Sequence, residues 1–124
     1  MPSRLSTATL CLRVAPVIAL AGMLLGIAMG VLNDHRLKTL HAHVNLIGWV
    51  SLFLAGLYYR QIPAADGKLA RWHFALATLG LAVLSIGLAG LAFGEMAFEP
   101  FAIVGSFLTI ISMGLFSWIV MRTS

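Results

Sequence analysis

Two histidines in the stretch HAHVNLIGWV carry the strongest chemical signal in this chain: His41 and His43 open an apolar run that ends near Tyr59. Ionisable side chains inside a membrane-length apolar segment are rare, and they usually mark a ligand, an ion path or a proton relay. A helix turns by about 100° per residue, so positions i and i+2 point about 200° apart. Two such rings do not readily share one metal ion; they address two different neighbours. From the residues alone two readings stay open. The pair ligates cofactors on either side of its helix, or it hydrogen-bonds to headgroups and loop backbone at the interface.

The elements that must position this pair follow from composition. The chain has 124 residues, of which 60% are hydrophobic and only 10% charged. A soluble domain would carry about a quarter charged residues, so this is the composition of an integral membrane protein. Four apolar segments can be marked off, at residues 14–32, 40–59, 74–93 and 101–121. Each approaches the roughly 20 residues needed to cross the hydrocarbon core. Backbone polar groups in lipid must bond internally, so such runs are helices. The separators are turn and breaker chemistry: Asn33 to Arg36, Pro63 to Lys68, and Gly94 to Pro100. The expected fold is all-α: one domain over residues 1–124, a four-helix transmembrane bundle of up-down antiparallel topology.

Charge sets an orientation. Of the eight Lys and Arg, six (Arg4, Arg13, Arg60, Lys68, Arg71 and Arg122) fall on the side of the termini and middle loop, and two (Arg36 and Lys38) on the other. The positive-inside rule then places both termini in the cytoplasm, as in a bacterial inner membrane. The same asymmetry explains the net charge of +4 without nucleic acid. The first segment exceeds the 7–15 residues of a signal-peptide apolar region, and no Ala-x-Ala cleavage site is evident directly before Asn33, so it reads as a retained helix. The single Cys11 reads as a packing residue. Gly22, Gly26 and Gly30 recur every four residues and line one face. Small residues at this spacing admit another helix closely, either within the bundle or between protomers.

The longer stretch HAHVNLIGWVSLFLAGLYYRQIP resembles the tenth helix of the catalytic subunit of haem-copper oxidases, especially the C-family cytochrome c oxidases and the related nitric oxide reductases. There an H-x-H pair, a Leu-Gly-Trp-like step and an aromatic helix end before a Pro accompany haem ligation. The matching residues here are His41 and His43, then Leu46, Gly48 and Trp49, then Tyr58, Tyr59 and Pro63. Residues 72–90 look like the family's eleventh helix, and residues 101–123 look like its twelfth with a short tail. The family's subunit has twelve helices, whereas this chain has four segments. It lacks the His-bearing second helix and the copper-site histidines of the sixth and seventh.

The resemblance implies b-type haem with iron held by His41 and His43, and no copper. No C-x-x-C-H occurs, so covalent attachment is not expected. Bis-His ligation gives a low-spin electron-transfer site. Around the pair, Gly48 would admit a porphyrin edge, Trp49 would stack on it or donate its indole N–H, and Asn45 would bond a propionate or a neighbouring group. Arg36 and Lys38 lie at the level of propionates. Each also has an ordinary role, as core filler, interhelical hydrogen bond or headgroup contact. His35 reads as a solvated loop residue. His73 begins the third segment at the opposite end and reads as a cap or headgroup contact.

A monomer is short of ligands, because each histidine needs a partner at its own depth. Met23 and Met29 are possible axial thioethers, but one Met cannot serve both faces. The family's subunit is built as three four-helix arcs, so a homotrimer of this chain would place His41 of one protomer opposite His43 of the next. A closed ring is the usual outcome for such a heterologous contact. Three functions follow: an electron-transferring or redox- or gas-sensing haem protein with an unidentified redox partner; an oxidase-like enzyme component binding oxygen or nitric oxide; or a structural or assembly module without cofactor. Enzyme status stays open, since a complete oxidase needs the missing copper ligands.

Overall fold

The computed structural model describes residues 5–124, so Arg4 of the charge count lies outside the described residues. It has four long helices: α1 (Thr7–Leu32), α2 (Lys38–Gln61), α3 (Lys68–Ala92) and α4 (Glu99–Thr123). All are long and apolar enough to cross a membrane. This is an all-α four-helix bundle and a multi-pass membrane protein. Short 3-10 turns, Pro63–Ala65 and Met96–Phe98, join α2 to α3 and α3 to α4. Helices α1 and α2 pack together, α3 and α4 pack together, and α2 rests on α3.

The helices run past the apolar segments at their polar ends, chiefly where α1 and α3 begin. Helix α1 starts at Thr7 because Ser6 caps it, its hydroxyl accepting the Thr9 N–H at 3.1 Å. The carboxylate of Asp66, from the middle loop, accepts two more N–H groups, of Thr7 at 3.1 Å and Ala8 at 2.9 Å. These satisfy donors that a helix start leaves unpaired. Helix α3 begins at Lys68, which takes Trp72 and His73 into its body. At the other end α1 and α3 stop in the same way. Asn33 (φ 51°) and Gly94 (φ 80°) adopt the left-handed conformation. Asp34 N–H then reaches Met29 O at 3.1 Å, and Glu95 N–H reaches Gly90 O at 3.0 Å.

The two ends of the bundle differ. The end with both termini holds the best-buried cluster: Ala8, Cys11 and Ala15 of α1, Leu52, Ala55 and Tyr59 of α2, Ala70 and Ala77 of α3, and Ile119 of α4. Most are small, which lets helices approach without a hydrophobic drive between them. Tyr58 ties α2 to the end of α4, its hydroxyl lying 2.7 Å from Thr123 Oγ1. Between α3 and α4 the contact reaches backbone: a Cβ on Gly87 would collide with Ala102, and one on Gly105 with Leu84.

Candidate cofactor-binding site

His41 and His43 lie in the first turns of α2, before any departure from α-helical geometry, so the opposed directions read from their spacing hold. The His41 ring packs onto α1 at Gly26, where an added Cβ would sit 2.9 Å from His41 Cε1. Asn45, one turn on, packs in the same manner at Gly22, with Oδ1 2.7 Å from such a Cβ. The Gly22 and Gly26 positions therefore serve polar side chains of α2 within one chain. Gly30 and Gly114 have nothing within 4 Å.

His43 faces the other way. It lines a hollow of about 340 Å³ with Ile47 of its own helix, Leu84 of α3, and Ser106, Thr109, Ile110 and Met113 of α4. Ile110 and Met113 are exposed, so the hollow opens on the lipid-facing side. The ring is oriented by one strong contact: Nδ1 lies 2.7 Å from the carbonyl oxygen of Thr39. A carbonyl only accepts, so Nδ1 carries a proton, and in a neutral ring Nε2 is the nitrogen with the lone pair. A backbone carbonyl on Nδ1 is the support that fixes the tautomer of a ligating histidine. His41 has no such lock, because its Nδ1 is 3.4 Å from the Asn45 amide nitrogen, beyond good hydrogen-bond range.

Immediately after His43 the helix widens into a π-helical segment, Val44–Val50. Asn45 donates from its amide to the His41 carbonyl at 2.8 Å. Ser51 reaches five residues back, both its N–H and its hydroxyl bonding Leu46 O, the latter at 2.7 Å. Such single-turn widenings are uncommon and often lie at functional sites. Nothing in the apolar pattern marks this one.

Several residues expected around a porphyrin are engaged elsewhere. Gly48 is buried, and the space beside it is filled by Ile18 of α1 and Leu81 of α3. Its missing side chain thus admits two neighbouring helices, in place of the porphyrin edge expected from sequence. Trp49 stacks at a tilt on Phe53, with centroids 5.0 Å apart, and packs against the core. Arg36 grips Asp34, with Nη2 to Oδ2 at 2.6 Å, and lies 4.5 Å from the Phe93 ring centroid. That bond holds the Asp34 carboxyl down from its ordinary 3.8 to about 2. The expected propionate contact from Arg36 thus competes with an ion pair, whereas Lys38 is exposed. Met29 is buried and lines a small hollow with Leu25, Ala28 and Leu37, and Met23 is exposed.

His35 is exposed in its loop, as expected. His73 is not at a headgroup. It is buried at the opposite end of the bundle, 2.9 Å from the Tyr59 hydroxyl and stacked on Phe116 with centroids 5.0 Å apart. The partners come from α2 and α4, which sequence order does not bring to mind. Among the described residues no group of three or more His, Cys, Asp or Glu is gathered to hold a metal ion. Comparison with protein-family models, curated proteins and solved structures returns no match to this chain.

Proposed function

We propose that the chain is a haem-binding membrane protein in which b-type haem lies between protomers of a homotrimer, with His41 of one chain and His43 of the next as axial ligands. One observation carries the reading: His43 lines an open hollow with its Nδ1 locked on Thr39, while His41 leaves α2 on the other side, against Gly26 of α1. The donor chemistry fits iron, since neutral imidazole with a supported Nδ1–H is an ordinary haem ligand. Each ligand needs an opposite number, and neither exposed His35 nor distant His73 provides one. Exposed Lys38 is the cation placed for a propionate.

When bound, such a haem supplies one-electron redox chemistry, which suits electron transfer or redox sensing. The chain's own part is to hold the two imidazoles apart on a rigid helix and to set the His43 tautomer. The charge asymmetry supports an orientation with the termini in the cytoplasm. An absorption spectrum of the purified protein, recorded with and without carbon monoxide, tests the reading. A Soret band insensitive to carbon monoxide supports bis-His ligation. A shift with the gas would point to an open iron position and an oxidase-like role, and no band at all would leave a structural module.

A further inference from the structure

At the end that carries both termini, a hollow of about 440 Å³ lies between the start of α1, the end of α2, the middle loop and the start of α3. Ser6, Tyr59, Arg60, Pro63, Asp66 and Arg71 line it. Two guanidinium groups thus face one cavity, and each is held there by a neutral acceptor. Arg60 Nη2 donates to Thr9 Oγ1 at 3.0 Å, and Arg71 Nη2 donates to the Leu5 carbonyl at 2.9 Å. Neither makes an ion pair among the described residues, where Arg36 with Asp34 is the single salt bridge. Asp66 is the one carboxylate in the hollow, and each of its two oxygens accepts one N–H, of Thr7 or Ala8. Two anchored cations with most of their donors unspent thus face a cavity that holds a single carboxylate, which leaves it net positive. The N–H groups of Thr7, Ala8 and Thr9 at the start of α1 are taken by Asp66 and Ser6.

We propose that Arg60 and Arg71 cradle the phosphate group of an anionic phospholipid. The planar fork of arginine matches phosphate oxygens in pairs, which an ammonium does not. A lipid source is favoured over free phosphate because the cavity sits where the helices leave the membrane. Leu5, whose carbonyl holds Arg71, is exposed beside it. Anionic lipid also concentrates opposite basic residues at a membrane surface.

The test is native mass spectrometry and thermal unfolding of the whole chain in mild detergent, with phosphatidylglycerol, phosphatidylcholine or inorganic phosphate added. Wild-type protein should retain phosphatidylglycerol in preference to phosphatidylcholine and should melt higher with it. Arg60→Gln and Arg71→Gln should each weaken that retention about tenfold, the size expected for losing a charge-assisted hydrogen bond. Lys68→Gln, on the same face but outside the cradle, should leave it unchanged. Equal retention of the two lipids by wild type, or undiminished retention by both arginine variants, overturns the proposal. A melting shift from inorganic phosphate that matches the lipid's overturns the lipid source. If the variants fail to fold, the wild-type comparison of the two lipids decides alone.

Discussion

His43 Nδ1 and the Thr39 carbonyl oxygen lie 2.7 Å apart, one helical turn from each other, and this contact decides which ring nitrogen faces outward. His41, two residues earlier, faces α1 instead. If both rings are ligands, His41→Ala and His43→Ala should each lose the Soret absorbance, while His35→Ala and His73→Ala keep it. Haem content per chain, measured after purification, checks this. Wild-type absorbance in both variants of the pair would remove the assignment.

Helix-to-helix contact makes a sharper division among glycines than their spacing does. Gly87→Ala and Gly105→Ala place a methyl group against backbone that cannot yield, and each should cost about 1–3 kcal/mol. Gly30→Ala and Gly114→Ala meet nothing within 4 Å and should stabilise their helices by about 0.5–1 kcal/mol. Unfolding in detergent with graded denaturant compares the four. Equal effects would show that α3 and α4 are not so closely packed.

Burial makes the Tyr59–His73 bond costly to break. Tyr59 is 1% exposed and His73 4%, so Tyr59→Phe leaves a ring nitrogen without a partner and without water. A loss of about 1–3 kcal/mol is expected. The same denaturant experiment reads it, and haem content, set at the other end of the bundle, should not change.

Asp34 gives the loop between α1 and α2 a pH dependence of defined sign. Its folded pKa, about 2, is below its ordinary 3.8, so between these values the unfolded chain binds more protons. Stability from the pair is therefore present above about pH 4 and is lost as pH falls toward 2. Melting temperatures of wild type and Asp34→Asn should differ at pH 5 and converge near pH 2. Both groups are exposed to solvent, so the difference should be small and should shrink with salt.

The four helices were legible because runs of apolar residues in lipid have few alternatives. The breakers Asn33 and Gly94 also marked where α1 and α3 end, but the start of α1 at Thr7 was not legible, because part of its cap comes from elsewhere: Asp66 reaches it from 58 and 59 residues away. The opposed directions of His41 and His43 follow from helical geometry alone. The neighbours they meet do not, since Gly26 and the α3–α4 hollow are products of packing. Gly48 shows the limit most plainly. Its type announces a close approach, but only the structure places Ile18 and Leu81 there. The burial of His73 was missed for the same reason, as Tyr59 and Phe116 arrive from other helices.

Co-expression of His41→Ala and His43→Ala chains tests the central claim most directly, because each variant lacks the ligand the other retains. If haem lies between protomers, each variant alone should be free of haem, and the mixture should recover a Soret band. In a cyclic trimer assembled at random, about one neighbouring pair in four brings an intact His41 to an intact His43, so about a quarter of the wild-type intensity is expected. A mixture as colourless as its parts, from a wild type that is coloured, would contradict ligation across the protomer boundary.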